Sequence, residues 1–357
     1  MMKFARLRLV PAFMIITVVL ALGQQGCEEN VAPVRGFASE PVNRAATELK
    51  KKCIEVLRQG LRSPDWDRRV RTALALSAMR DPAGLDDARA IMAGRRSDAA
   101  LRVAYYFVRS GLTPTEPALV EADAVMRRGR PSLRYLAITV LGPSLPGQGV
   151  PDSIKNIWKD THHPDLQVCA ASALARKGHS DAIKWLRANL ETWLRFQGFD
   201  PFLFARVTDE ESRAGLIRAL KAGVDHNIRN AILAAETTKD SRALLVLPIL
   251  VARKRGMRKT MAAAVLAELG GREGSAVLKQ VIGRQVLDFP EAVWAAMGLG
   301  SLGDPSGMWA LVKFIEREGA SRKGTEAASL IIASLCSPGS SGNAVSASFQ
   351  LWIAEHL

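Results

Sequence analysis

Signals that end a helix recur along most of this chain at a nearly constant spacing. They are Asp-Pro or Gly-Pro pairs, glycines and similar breaks, at Asp81-Pro82, Gly111, Gly142-Pro143, Gly178, Asp240, Gly270-Gly271, Asp304-Pro305 and Ser337-Pro338. Successive signals are mostly about 30 to 36 residues apart, with one gap about twice as long after Gly178. Most intervals hold two apolar-periodic segments without the alternation of β-branched residues that marks strands. The spacing therefore predicts stacked helical hairpins.

The two helices of one repeat are predicted to differ in how they pack. Met257, Met261, Val265 and Leu269 are four residues apart, which places them on one stripe of a helix. The segment 241–253 is apolar nearly all round, so we expect it to be packed between two neighbours. With 48% apolar and 24% charged residues among 357, the chain has a folding composition rather than a disordered one. The fold class is predicted to be all-α.

Several segments resemble HEAT repeats, including the short repeats of bacterial HEAT proteins. The ending Gly298–Pro305 (GLGSLGDP) is similar to the family's Leu-Gly-Asp-Pro ending, and 170–178 and 75–82 are similar to it in part. Pro248 resembles the proline inside the family's first helix. The resemblance implies an armadillo-type, right-handed superhelical solenoid of about nine antiparallel hairpins over residues 45–357, degenerate near 189–224. It also implies a curved rod whose second helices line the concave face, in a binding or scaffolding role.

The N-terminus has the pattern of an export signal. Three basic residues precede an apolar stretch of about fifteen residues that ends at Gly23, too short for an ordinary membrane span. Cleavage after Gly23 would give plain export, whereas Gly26-Cys27 resembles the end of a lipoprotein signal, with Cys27 as the lipidated residue. Gln24 and Gln25 depart from the usual lipoprotein pattern, and an uncleaved anchor is a third possibility. Residues 1–26 are predicted to be a signal peptide.

Residues 27–44 are predicted to be a flexible linker to the folded part, 45–357. The segment is rich in proline, glycine, serine and charge, and it has no apolar period. The whole chain has a formal charge of +14, from 49 basic and 35 acidic residues. Because residues 1–26 contain three basic and no acidic residues, removing them leaves a charge of +11. The excess of positive charge therefore belongs to the folded part and its linker.

Arginines at the starts of predicted second helices are candidate contacts for a partner. Three acid–base pairs are spaced four residues apart, which suits both the helix dipole and an ion pair: Asp65/Arg69, Asp98/Arg102 and Asp225/Arg229. An anion-binding stripe on the inner face is the competing interpretation, formed by Arg102, Arg134, Arg229 and Arg258. Arg134 and Arg258 have no matching acid four residues away, which makes them the better candidates for contacting a partner.

An aromatic cluster interrupts the repeat and allows two interpretations. Trp193, Phe196, Phe199, Phe202 and Phe204 fall within twelve residues of a chain that is only 6% aromatic. The cluster could be a plug of large side chains where two parts of the array meet. Alternatively, the first four residues could form an exposed anchor for a partner, since aromatic side chains dominate binding hot spots.

Three patterns that suggest chemistry have structural interpretations here. Gly298-x-Gly300-x-x-Gly303 spells a dinucleotide-binding motif, but a predicted helix rather than a strand precedes it, so the glycines are expected to serve helix packing and a helix stop. The helix between His163 and His179 would separate them by about 22 Å, too far to share a metal ion. Cys53, Cys169 and Cys336 fall in different repeats, and Cys169 is expected to be a small buried residue. We predict no catalytic residue, no cofactor and no metal.

The sequence thus predicts a non-catalytic, exported and lipid-anchored scaffold that binds a protein partner in the cell envelope, on the periplasmic side. Polyanion binding, to anionic lipid, cell-wall polymer or nucleic acid, is the alternative, although an export signal makes a nucleic acid the least favoured of these. Charge pairing discriminates between the two functions. Arginines paired with acids favour a protein scaffold, whereas free and aligned arginines favour a polyanion.

Overall fold

The computed structural model describes residues 37, 39–93, 100–101, 103–105, 108, 114–129, 131–144, 152–196, 199–284 and 289–335, all within one compact unit, Pro33–Leu357. These residues contain helices and no strand, so the all-α prediction is confirmed. The helices are α1 Glu40–Gly60, α2 Trp66–Ala78, α3 Pro82–Ala93, α4 Glu116–Arg128, α5 Pro131–Ser144, α6 Asp152–Asp160, α7 Pro164–Arg176, α8 Ser180–Ala188, α9 Leu190–Arg195, α10 Pro201–Val207, α11 Glu210–Ala222, α12 Asp225–Thr238, a 3-10 helix Ser241–Leu245, α13 Leu247–Arg253, α14 Gly256–Glu268, α15 Ser275–Ile282, α16 Phe289–Ser301, α17 Ser306–Glu318 and α18 Arg322–Leu335.

Helix α1 begins earlier than the predicted linker allows. Residues 40–44 are helical, and Val42 is fully buried. Pro41 lies in the first turn, where a proline costs no hydrogen bond. Phe37 and Asn43 fix the entry into the helix, because the Phe37 N–H donates to Asn43 Oδ1 and Asn43 Nδ2 donates to the Phe37 carbonyl, both at 2.8 Å. The prediction that the linker extends to residue 44 is therefore wrong, because residues 40–44 belong to α1.

Predicted helix stops are confirmed at most of the described signals. Gly178, Gly270 and Gly303 have positive φ and follow α7, α14 and α16. At Gly303 the chain forms a Schellman ending, in which the Asp304 N–H donates to the Leu299 carbonyl at 2.9 Å and the Gly303 N–H to the Gly300 carbonyl at 3.0 Å. Gly142-Pro143 is the exception, since α5 continues through it to Ser144.

The glycines of the Gly-x-Gly pattern serve packing, as the sequence predicts. Gly298 is inside α16, and a Cβ placed there would be 2.8 Å from the Ala264 Cα and 2.8 Å from Leu278 Cδ1. The glycine thus lets α16 approach the backbone of α14 more closely than a side chain would permit. The helix that precedes Gly303 removes the strand-then-helix context that a dinucleotide would need.

The helices that the sequence predicts to be the second of each hairpin pack against one another in series. Contacts join α5 to α7, α12 to α14, α14 to α16, and α16 to α18. Helix α14 is buried without a break from Thr260 to Ala267, as expected for a helix covered on all sides. The sequence predicts instead that segment 241–253 is the one packed between two neighbours. That prediction is wrong, because Leu245 is 78% exposed and Ile249 is 44% exposed.

Proline 248 starts a helix rather than lying within one. The 3-10 helix ends at Leu245, and α13 begins at Leu247 with the proline in its first turn. The N–H groups of the first helical residues have no partner within a helix, so a proline costs no hydrogen bond at this position.

The succession of helix contacts closes on itself. Helix α1 packs against α17 and α18, and α2 packs against α18. Arg71 on α2 forms an ion pair with Glu326 on α18 at 2.5 Å, and Lys52 on α1 approaches Glu316 on α17 at 3.4 Å. A rod would keep its first and last hairpins apart. The rod that the HEAT resemblance implies is therefore wrong for the described residues, where the first and last hairpins are in contact.

Candidate functional site

The starts of the helices predicted to be second helices carry ion pairs between neighbouring helices. Arg69 pairs with Asp87 of α3, with its Nε 2.9 Å from Asp87 Oδ2. Asp225 at the start of α12 accepts hydrogen bonds from Lys254 at 2.7 Å and pairs with Arg258 at 2.9 Å. Hydrogen bonding from Lys254, helped by the charge of Arg258, lowers the pKa of Asp225. The acids thus link one hairpin to the next.

The four candidate arginines therefore do not form a free stripe. Arg258 has no matching acid on its own helix, but it is paired with Asp225 and is therefore not a free cation. Arg229 also has an interaction partner. Arg134 is half-buried and donates to the Arg127 carbonyl at 3.2 Å, while its Nε has no hydrogen-bond partner among the described residues. Arg102 lies outside the described residues. Of the described arginines in this set, Arg134 remains a candidate for contacting a partner.

Two buried glutamates extend the links between second helices. Glu291 in α16 is 4% exposed, accepts from Thr260 of α14 at 2.6 Å, and pairs with Arg284 at 2.5 Å. Glu326 in α18 is 9% exposed and pairs with Arg71 of α2. Cations and hydrogen-bond donors compensate these buried carboxylates. The two glutamates therefore link neighbouring helices and offer no free negative charge to a partner.

Aspartates in the turns between helices cap the helices that follow. Asp240 Oδ1 accepts from the Arg242 N–H at 3.0 Å, Asp304 Oδ1 from the Ser306 N–H at 2.9 Å, and Asp209 Oδ1 from the Ser212 N–H at 2.9 Å. Each also has a cationic neighbour. The hydrogen bond from the Arg242 side chain lowers the pKa of Asp240, and bonds from Ser306 and Ser212 lower the pKa values of Asp304 and Asp209.

We expect these caps to make stability depend on acid pH. Their folded pKa values lie below the ordinary 3.8, so their stabilisation is complete above that value and is lost as the pH falls through the lowered pKa. The urea midpoint of unfolding should be flat between about pH 7 and 5 and should fall below about pH 4. The Asp240→Asn variant, which keeps a capping oxygen but no charge, should lose about 1 kcal/mol at pH 7 and show a shallower fall. Equal pH profiles for the two proteins would contradict this assignment.

The aromatic cluster is a core feature and not an exposed anchor. Trp193 and Phe199 are fully buried, Phe196 is 5% exposed, and Phe204 is fully buried. Ring centroids of Trp193 and Phe204 are 5.2 Å apart, and those of Trp193 and Phe199 are 5.8 Å apart. The partner-binding role predicted for Trp193, Phe196 and Phe199 is wrong, because buried side chains offer a partner no surface. The side chain of Phe202 lies outside the described residues.

This cluster lies where the sequence predicts a degenerate repeat, and its helices bridge those on either side. Helix α10 contacts both α7 and α12, and α9 also contacts both. Asn230 of α12 donates to the Leu194 and Phe196 carbonyls at 2.8 and 3.0 Å. Large side chains therefore fill the space where two short helices replace a regular second helix.

Histidines and cysteines have structural environments. His179 accepts from the Ala182 N–H at the start of α8 and packs edge-on against Trp158. Among the described residues, no group of three His, Cys, Asp or Glu side chains has the arrangement of a metal site. Cys169 is 4% exposed, which confirms its prediction as a buried residue, and Cys53 is fully buried; both are free thiols.

An open groove between α1 and α17 is a surface that the sequence did not indicate. The groove has a volume of about 790 Å³ and contains Trp309, which is 40% exposed. Its walls carry charges of both signs, from Glu40, Arg44, Glu48, Lys313 and Glu316. The two helices are the first and the last but one of the described chain, so no local pattern could have placed them side by side.

Cys27, the predicted lipidation site, lies outside the described residues, as does the whole segment 1–36. Within the described part, no helix combines the length and apolar character that crossing a membrane requires.

Comparisons with known proteins return no relative. No protein-family model matches the chain, and no curated protein or solved structure matches it either.

Proposed function

We propose that this chain is an exported, non-catalytic scaffold that binds a protein partner in the cell envelope. In this proposal residues 1–26 direct export, and acyl chains on Cys27 hold the folded part at the membrane on the periplasmic side. The helices form a HEAT-like, right-handed solenoid of about nine hairpins whose two ends meet. The partner binds in the α1–α17 groove.

The groove is the observation that carries the proposal. Trp309 offers a large apolar surface that is 40% exposed, and partly exposed tryptophans are the side chains that most often dominate a protein interface. Both positive and negative groups line the groove, including Arg44, Glu48 and Lys313. Such mixed charge suits the surface of a folded partner, for example an amphipathic helix, better than it suits a uniformly negative polymer.

Pairing of the candidate arginines supports the same choice. Arg258 and Arg69 each have a carboxylate partner, and Arg229 is not free. Cations that are already neutralised add little to the attraction of a polyanion. Polyanion binding remains the second candidate, because the chain without residues 1–26 still carries a charge of +11.

A pull-down with the full chain from envelope extract tests the proposal. We expect one stoichiometric protein to survive a wash at about 0.5 M salt, where the Debye length is only a few ångströms. Trp309→Ala should weaken its capture at least tenfold, because truncating a hot-spot tryptophan costs about 2 kcal/mol or more. Leu245→Ala, which removes an apolar side chain that is 78% exposed elsewhere on the surface, is the matched control and should capture the protein normally.

Two results would contradict the proposal. Equal capture by the Trp309→Ala and Leu245→Ala variants would exclude the groove as the binding surface. Loss of all bound material at high salt, with anionic lipid or polymer in the eluate, would favour polyanion binding instead.

A further inference from the structure

The turn between α13 and α14 concentrates positive charge. Helix α13 ends at Arg253 and α14 begins at Gly256, and five of the seven residues from 253 to 259 are basic while none is acidic. The five are Arg253, Lys254, Arg255, Arg258 and Lys259. The three arginines are exposed and the two lysines are half-buried. The turn therefore presents its cations to solvent.

The turn between α11 and α12 lies against this segment and adds to its charge. Lys254 Nζ donates to the Gly223 carbonyl at 2.7 Å, which joins the two turns. Lys221, in the last turn of α11, is exposed and is a sixth cation. Asp225 is the one acid in segments 221–225 and 253–259. These twelve residues, which we call the basic edge, thus carry five net units of positive charge.

Most cations of the basic edge are not neutralised within the chain. Asp225 pairs with Lys254 at 2.7 Å and with Arg258 at 2.9 Å. The other four have no acidic partner among the described residues: Lys221, Arg253, Arg255 and Lys259. Exposed cations without a partner keep their attraction for an external anion. This distinguishes the basic edge from the paired arginines at the starts of α2 and α14.

The basic edge projects into solvent. Gly256 is exposed and has a φ of +55°, and a Cβ placed on it would have no atom of another residue within 4 Å beyond its chain neighbours. Val224, in the neighbouring turn, is 39% exposed among the cations. A projecting turn can lie on a flat surface, whereas an anionic chain is bound by a groove that follows its backbone. An apolar side chain surrounded by cations also suits the boundary between lipid headgroups and acyl chains.

Acids lie at the opposite end of the helix that leads into the basic edge. Helix α11 has Glu210 and Glu211 in its first turn and is capped by Asp209. Because α11 has 13 residues, these acids lie about 20 Å from its last turn. The Debye length is about 10 Å at 0.1 M salt, so the acids weaken the attraction of the basic edge only slightly. The separation of charge favours one orientation on a negative surface.

We propose that the basic edge binds the surface of an anionic lipid bilayer. The choice of a bilayer rests on the proposed function, in which acyl chains on Cys27 hold the chain at a membrane. The ten residue steps from Cys27 to Phe37 can span about 33 Å, enough to let either end of a 20 Å helix reach the bilayer. A lipid tether and a basic surface together give firmer membrane binding than either alone. The proposal does not involve the α1–α17 groove.

Partition of the full chain between buffer and lipid vesicles tests this proposal. Vesicles of phosphatidylcholine are compared with vesicles that also contain about 30% phosphatidylglycerol, an anionic lipid. At about 0.1 M salt we expect at least about a hundredfold preference for the anionic vesicles, falling steeply at about 0.5 M salt. Neutral vesicles report binding by the N-terminal segment or its acyl chains, and the preference reports the basic edge. Failure of the tether and failure of the basic edge are therefore distinguishable.

The variant Arg253→Gln/Arg255→Gln removes two exposed and unpaired charges from the basic edge. It should lower the preference for anionic vesicles about 25-fold, because each basic residue at an anionic bilayer strengthens binding about fivefold. Lys177→Gln/Arg272→Gln is the matched control, since it removes two exposed charges that follow the last turns of α7 and α14. The control should change the preference less than about twofold. Trp309→Ala should keep the full preference, so failure of the groove leaves this result standing.

Three results would overturn the proposal. The first is equal binding of the natural protein to neutral and anionic vesicles. The second is an equal loss of preference in the two double variants, because net charge rather than the basic edge would then be responsible. The third is binding to dissolved dextran sulfate that Arg253→Gln/Arg255→Gln loses, without any preference between vesicles, which would assign the basic edge to a soluble polyanion.

Discussion

Replacing Ala170 by aspartate is expected to unfold the part of the array around α7. Ala170 is fully buried, and α7 packs against α5, α6 and α8, so no side of the helix at this residue faces water. A carboxylate placed there must be buried either charged or protonated, and both states cost free energy. We expect a loss of at least about 4 kcal/mol, a large part of the 5 to 15 kcal/mol that typically stabilises a domain. Far-UV circular dichroism during urea unfolding measures it.

Ala124→Asp is the matched control for this experiment. Ala124 is exposed in the middle of α4, so the same substitution adds the same charge to a helix of the same length. Its cost should stay below about 1 kcal/mol, which is the difference in helix propensity between the two residues. If Ala170→Asp unfolds at the same urea concentration as Ala124→Asp, the placement of α7 between its neighbours is wrong.

Features that depend on residues near one another in the chain could be predicted from the sequence. Gly303 and Asp304 end α16 because a positive φ and two backbone hydrogen bonds suffice for that ending. The all-helical class follows in the same way from apolar spacing and the absence of alternation. Gly298 was also interpretable, because a glycine in an apolar helical run marks a close approach of another backbone.

Features that depend on neighbours across the fold could not be predicted. Arg69 was expected to pair with Asp65, four residues before it, yet its partner is Asp87 on the next helix. Arg258 has no matching acid four residues away along its helix, yet Asp225 lies 2.9 Å from it across the hairpin stack. Spacing along one helix cannot identify partners that another helix supplies.

Apolar content alone also does not predict which of the two helices of a hairpin is buried more completely. Segment 241–253 has the more continuous apolar run, but α14 is the helix buried on all sides. Alanines at 262, 263 and 264 allow α14 to fit between helices on both sides, whereas the larger Leu245 and Ile249 remain exposed on the outer layer. Small side chains, rather than strongly apolar ones, are therefore the better guide to the inner layer of a close-packed stack.

The closing contacts and the α1–α17 groove have the same origin. They form where the start of the chain meets its end, through pairs such as Arg71 with Glu326. A repeat period specifies how each hairpin stacks on the next, but it does not specify the small rotation per repeat that decides whether the ends meet. The candidate surface could only follow from the assembled fold.

Truncating Trp193 to alanine is expected to be the most damaging removal of a single side chain. Trp193 is fully buried and packs against Phe199 and Phe204, with ring centroids 5.8 and 5.2 Å away. These rings connect α7 to α12 where a regular second helix is missing, so the cavity left by the indole cannot be filled by sliding one helix. We expect a loss of about 3 to 5 kcal/mol, measured as a lower urea midpoint with an unchanged far-UV spectrum in water.

Trp309→Ala provides the comparison, because it makes the same substitution at a tryptophan that is 40% exposed. Little cavity forms at a surface position, so its cost should stay below about 1 kcal/mol while partner capture is lost. Trp193→Ala is thus expected to lower stability, whereas Trp309→Ala is expected to lower partner binding. A Trp193→Ala protein as stable as Trp309→Ala would contradict the core role of the cluster. If Trp193→Ala lost partner capture while its stability stayed intact, the cluster would instead be an exposed binding site, which its burial argues against.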